Sequence, residues 1–304
     1  MKKYSAFTMI ELVMVIVVLG IVASIGAEII TSMYTNYLRI RTINRLEAQT
    51  EITLEQISKR LQYRIKDSVI ARKTGAYLAL SDPSVDDTYN IIEWIGYSNE
   101  SMIDANSQPG WNGFIDLDSN DTNSSIGTHG TLKTSESNLT KASNIISTLT
   151  QNDINLSAGK EAALIFKGRG ADVSKYGWGA TANNDGEYTL LVTRKNDSVF
   201  TITDTATPSE IFEQYYLAHT AYAIVPSGDT TSELKDFNIT LYYNYQPWHN
   251  EEYNNGTPAV LAEHVNLFRF RQNQSIIQLK LCIHDANSTG LGSPIVVCKE
   301  KVVY

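Results

Sequence analysis

Glu11 lies inside the apolar stretch AFTMIELVMVIVVLGIV, residues 6–22, four residues after Phe7. A carboxylate near the edge of a bilayer core costs a few kcal/mol and is normally paired. No Lys, Arg or His stands between Phe7 and Asn36 to neutralise it. The other residues with chemical potential are remote from it. Asp116-Leu117-Asp118-Ser119-Asn120-Asp121 begins like the D-x-D-x-N of a calcium loop, with Asp116, Asp118 and Asn120 as candidate ligands. Such loops need Gly at the sixth position, where Asp121 stands, and an acid at the twelfth, where Gly127 stands; an acidic surface loop is the competing reading. His249-Asn250-Glu251-Glu252 reads either as a metal-binding run or as a solvated polar turn. The five histidines show no H-x-x-H or H-E-x-x-H spacing, and no P-loop, G-x-S-x-G or G-x-G-x-x-G occurs. No catalytic set emerges, so the chain is not expected to be an enzyme or to carry a cofactor; calcium at Asp116, Asp118 and Asn120 is the minor alternative to an acidic surface loop.

These residues must be carried by elements that the charge and hydropathy pattern outlines. Residues 1–73 hold 11 Lys/Arg against 6 Asp/Glu, a balance of +5, whereas residues 74–304 are left with −13 of the chain's total of −8. An acidic bulk repels nucleic-acid phosphate at long range, so nucleic acid is not an expected partner. Residues 7–30 contain only two ionisable groups, Glu11 and Glu28. They would span about 36 Å as a helix, enough for a bilayer. A cleaved secretory signal fits poorly, because the run is too long and no A-x-A site closes it. Lys2 and Lys3 favour a cytoplasmic N-terminus and an exported remainder, while Arg39, Arg41 and Arg45 beyond the span weaken that rule.

Ala6-Phe7-Thr8-Met9-Ile10-Glu11-Leu12, after the short basic leader MKKYSA, resembles the G-F-T-L-I-E cleavage and methylation motif of type IV prepilins and type II secretion pseudopilins, with Ala6 at the family's Gly. The resemblance implies cleavage between Ala6 and Phe7 by a prepilin peptidase and methylation of the new Phe7 amine. The ammonium of a neighbouring subunit could then neutralise Glu11 in the assembly, giving Phe7 and Glu11 the assembly role. A buried polar group satisfied only by its partner fixes register in this way. The implied partners are the peptidase, other pilin or pseudopilin subunits, an inner-membrane assembly platform and the lipid bilayer.

Beyond the membrane, Ile43, Leu46, Leu54, Ile57, Leu61, Ile65 and Val69 recur at helical spacing, with Thr50 filling one gap. Glu47, Glu51, Glu55, Lys59, Arg60 and Lys66 fall mostly on the other face, and Glu55–Lys59 is a favourable i,i+4 pair. Lys73 and Gly75 read as the basic last turn and C′ glycine of one helix over residues 7–73, roughly 100 Å long. A coiled coil is the alternative use of this stripe. The rest is β-like: residues 91–97, 162–167, 188–194, 199–203, 222–225, 237–245, 265–271, 276–283 and 295–304. TLLVTRKNDSVFTIT reads as a hairpin turned at Lys195-Asn196-Asp197-Ser198. Residues 99–130 and 168–186 are long for loops of a compact domain and are expected to be surface insertions.

Cys282 and Cys298 lie on two β-like runs. A hairpin centred near Gly290 places them opposite each other, and Lys280 opposite Glu300, within reach of a disulfide in an oxidising compartment. Two buried free thiols are the alternative.

The expected architecture is α+β: a leader over residues 1–6, a long N-terminal helix over 7–73 whose first half spans the membrane at about 7–30 and whose second half is amphipathic, and a mainly antiparallel β head over 74–304. The resemblance points to a minor pilin or pseudopilin in the bacterial inner membrane, its head periplasmic and later in a filament. The alternative is a membrane-anchored periplasmic binding or hydrolytic protein that keeps its N-terminus uncut. PGWNGFID at 109–116, EQYYL at 213–217, LYYNYQPW at 241–248 and the LAEHV run at 261–265 further resemble segments of large pilin-like proteins.

Overall fold

The computed structural model describes residues 8–102, 108–123, 130–179, 186–203, 210–230, 235–285 and 294–304. Helix α1 (Met9–Gln62) leads into β1 (Ile70–Lys73), β2 (Ala76–Ala79), β3 (Ile91–Tyr97), α2 (Asn99–Met102), β4 (Thr131–Lys133), α3 (Leu139–Leu149), β5 (Ala162–Phe166), β6 (Leu190–Asn196), β7 (Val199–Ile202), β8 (Tyr215–Asp229), β9 (Asp236–Tyr245), β10 (Thr257–Asn273), β11 (Ile276–His284) and β12 (Val296–Val303). Among the described residues the strands form one sheet, ordered β12-β11-β10-β9-β8-β5-β6-β7-β4, with β3 also on β8 and β1–β2 beyond it. All these pairings are antiparallel. The protein is a long helix on an antiparallel sheet, an α+β fold.

The amphipathic stripe of α1 meets the sheet as its spacing requires. Leu46, Thr50, Leu54, Ile57 and Leu61 are buried, each one helical turn from the next. The Thr50 hydroxyl donates back to Leu46 O, while Leu46, Leu54, Ile57 and Leu61 share one core with Leu279, Leu281, Ile277 and Val303 of β11 and β12 and with Phe268, Leu241 and Trp94. Burying such side chains stabilises by about 1.5–3 kcal/mol each, so this seam holds the helix to the head rather than to a coiled-coil partner.

The helix ends at Gln62, eleven residues before the expected Lys73. Ile65 N–H donates to Ile95 O at 2.8 Å and Tyr97 N–H to Tyr63 O at 3.0 Å, so β3 captures the backbone that would have continued the helix. Ile65 and Val69 stay buried but reach the core from a short 3-10 turn and an extended chain. Gly75 is not a helix cap: at φ +77° it turns the β1–β2 hairpin, which joins Lys73 to Ala76. Both uses demand the same left-handed backbone, which is why the sequence signal pointed the wrong way.

The two presumed insertions are also not merely superficial. Trp111 is buried and its Nε1–H donates to Ser98 O and Ser101 Oγ, both at 3.0 Å. A Cβ at Gly110 would lie 2.1 Å from Ser101 O, so only glycine lets this segment close on α2. In the second segment Tyr176 and Trp178 are buried, and Trp178 Nε1–H reaches Ser68 O at 3.0 Å. Each loop plugs one of the hydrophobic cores with a tryptophan.

A polar tie crosses the sheet interior. Glu93 of β3 is fully buried, pairs with Arg72 of β1, and accepts from Tyr245 Oη of β9 at 3.0 Å. Burial pushes the Glu93 carboxyl up, against the pull of the Arg72 guanidinium.

Candidate functional site

The N-terminal half of α1 packs against no other element among the described residues. From Met9 to Ile30 the large apolar side chains are exposed, Met9, Ile10 and Met14 among the most open. This part is long and apolar enough to cross a membrane once. With backbone hydrogen bonds closed within the helix, lipid or another apolar helix is the favourable surrounding.

Glu11 stands on the first turn. Its Oε2 accepts from Thr8 Oγ1 at 3.3 Å and from Thr8 N–H at 3.5 Å; the second is the back-reaching half of a T-x-x-E capping box. The helix dipole also favours a carboxylate at this end. The T-x-x-E pattern of Thr8-Met9-Ile10-Glu11 is the sequence signal for this turn. The cap partly satisfies the carboxylate but supplies no opposite charge. Ala6 and Phe7, the expected processing pair, lie outside the described residues.

Where α1 meets the head, ion pairs flank the apolar seam. Glu51 takes Lys299 at 3.0 Å and Lys301 at 3.7 Å, and Glu55 also pairs with Lys301. Glu51 and Glu55 therefore border the sheet instead of facing away from it. Lys299 holds the Glu51 carboxyl below its ordinary value by hydrogen bond and charge, and Glu55 raises Lys301 by its hydrogen bond. Arg45 Nη2 lies 2.8 Å from Oδ1 of Asp285, a largely buried side chain at the end of β11. At the other end Arg64 donates to Leu61 O and Ser275 O, each at 2.7 Å, closing the helix C-terminus onto the β10–β11 turn.

The last hairpin is locked. Cys282 and Cys298 are opposite in the β11–β12 register and joined by a disulfide, and Lys280 faces Glu300 with 2.8 Å between Nζ and Oε1. The predicted register is the one formed.

The remaining candidates separate. Asp116, Asp118 and Asn120 are exposed on one turn, where Asp116 Oδ2 accepts from Ser135 Oγ at 3.2 Å and Asp116 O from Thr122 Oγ1 at 2.6 Å. His249 and Glu251 are engaged separately: His249 Nε2 meets Glu161 O at 3.2 Å and Glu251 Oε2 accepts from Gln246 N–H at 2.8 Å. His219 is buried beside Thr220, its Nδ1 has no hydrogen-bond partner among the described residues, and burial lowers its pKa to about 4. His264 and His284, 20 residues apart in sequence, meet beside Asp236. Sequence spacing carries no trace of that meeting, because it is made by neighbouring strands.

No curated protein and no solved structure matches the chain. Residues 1–27 match the family described as the prokaryotic N-terminal methylation motif. That match covers the leader, Glu11 and most of the apolar half of α1, so the chain carries the prepilin-type motif that is the signature of type IV pilins and pseudopilins.

Proposed function

We propose that this chain is a minor subunit of a type IV pilus or a type II secretion pseudopilus, with a structural and assembly role. The observation that carries the reading is the methylation motif over residues 1–27, coupled to a helix whose apolar half is bare while its second half is clamped to a folded head. Prepilin peptidase removes residues 1–6 and leaves Phe7 as the methylated terminus. The precursor rests in the inner membrane as a single-pass protein with a periplasmic head. An assembly platform then moves it into the filament, where apolar halves of neighbouring helices replace lipid. Glu11 exchanges its weak contact with Thr8 for the Phe7 ammonium of an adjacent subunit, a charge-assisted bond roughly twice as strong as a neutral one. The head's disulfide suits the oxidising periplasm.

The test is the N-terminal peptide of the protein from cells with an active prepilin peptidase, read by mass spectrometry. An N-methylated Phe7 terminus supports the proposal. A chain still beginning Met1-Lys2-Lys3 overturns it and favours a membrane-anchored periplasmic protein working without a filament.

A further inference from the structure

Three side chains with metal-ligating atoms converge at the start of β9, the middle of β10 and the end of β11: Asp236, His264 and His284, their ligand atoms all within 4.8 Å of one another. His264 Nδ1 is 3.2 Å from Asp236 Oδ1, and His284 Nε2 is 3.4 Å from the same oxygen. A tetrahedral cation with bonds of about 2.0–2.1 Å needs ligand atoms roughly 3.3–3.4 Å apart. Two of the three edges already have that length.

Two features of the surroundings go unexplained by a simple His–Asp hydrogen bond. His264 holds φ +57°, a left-handed backbone, in a strand. Here β10 loses register with β9 between Ala262 and Val265. Such a conformation costs roughly 1–2 kcal/mol for a residue with a Cβ, and irregularities of this kind re-aim a side chain. The second feature is His284 Nε2, which is buried, lies 3.4 Å from Asp236 Oδ1, and has no hydrogen-bond partner among the described residues. A buried nitrogen without a partner costs about 1–3 kcal/mol. One cation bonded to both rings and the carboxylate accounts for both.

We propose that Asp236, His264 and His284 form a divalent transition-metal site, of the kind that takes zinc. Two imidazoles and one carboxylate favour zinc over calcium, which prefers a cage of oxygens. The chain's only two cysteines are committed to each other in the disulfide, so no thiolate competes as a ligand. About half of the Asp236 side chain is exposed, leaving the fourth position to water. The site cross-links three adjacent strands next to Asp285, the anchor of Arg45 on α1. This inference stands apart from the filament role and does not depend on it.

The experiment uses the full chain in detergent, stripped with a chelator and titrated with zinc chloride by calorimetry, with thermal unfolding as a second readout. One equivalent of zinc and a rise in Tm are expected. His264→Gly accepts the left-handed backbone, so it should fold as well as the parent while binding zinc at least ~10-fold more weakly and losing the Tm rise. Asp236→Asn should weaken zinc as well, and His249→Ala, remote from the cluster, should not. Equal zinc affinity in the parent and in folded His264→Gly would overturn the site, as would binding that His249→Ala abolishes.

Discussion

Thr8 and Glu11 close the first turn of α1 on themselves, Oγ1 to Oε2 at 3.3 Å, so the carboxylate placed in the membrane span is capped within its own chain. The cap provides hydrogen bonds at the long end of the useful range but no cation. Glu11→Leu should therefore insert into the membrane as well as or better than the parent, because it removes a polar group from lipid. Incorporation into filaments should fall sharply, read as the ratio of sheared filament to membrane-retained protein. Glu11→Gln separates the two roles, since it can keep the Thr8 contact while losing the charge. Normal incorporation of either variant would remove the assembly role given to Glu11.

His219 supplies a pH prediction. Its ring is buried and neutral in the fold, with the pKa lowered from 6.5 to about 4 by burial. Unfolding exposes the ring, which then binds a proton at a higher pH than the folded state does. Stability is therefore complete above about pH 6.5 and lost as pH falls towards 4, by about 3 kcal/mol from this one group. Denaturant unfolding of the parent and of His219→Leu across this range should give parallel curves only if the ring does not titrate this way. The variant is expected to show the shallower acid slope, whatever its absolute stability.

Glu93 and Arg72 make a second, independent case. Removing one partner strands the other charge in the sheet interior, so Glu93→Ala should cost about 3–5 kcal/mol. Arg72→Met with Glu93→Leu removes both charges and should recover most of that loss, leaving the Tyr245 hydroxyl as the remaining deficit. A double variant no more stable than Glu93→Ala would show that the pair contributes net energy beyond mutual neutralisation.

How much of this was legible in the sequence depends on how local the cause is. The stripe Leu46, Leu54, Ile57 and Leu61 follows from helical period, the strand Ile91–Tyr97 from a short β-branched and aromatic run, and the Cys282–Cys298 register from one hairpin. Helix α3 was equally local and was missed: Asn138 caps it through Lys141 N–H at 3.0 Å, and Leu139, Ala142 and Ile146 recur at helical spacing. The end of α1 was not legible, because β3 decides it from 30 residues away. Nor was the burial of Trp111 and Trp178, whose polar flanks resemble those of surface loops. In the candidate site, Glu11 announced itself by being the wrong residue in an apolar run. The convergence of His264 and His284 could not, since strand pairing alone brings them together.

The disulfide joins these local and distant causes. β12 is an edge strand whose sheet partner is β11, and it carries Lys299 and Lys301, which grip Glu51 and Glu55 of α1. Cys282 and Cys298 close a loop with a sequence separation of 16. A closed loop of that size is worth about 3 kcal/mol by the chain-entropy argument. Alkylation of the denatured, unreduced protein should leave its mass unchanged, and two added labels would refute the bridge. Cys282→Ser with Cys298→Ser should lower stability by about 2–4 kcal/mol. More tellingly, it should let β12 fray, so that hydrogen exchange rises together at Lys299, Lys301 and the buried face of α1 from Leu46 to Leu61. Faster exchange in β12 alone would mean that the apolar seam holds the helix without the lysines, and that the hairpin's lock serves only the hairpin.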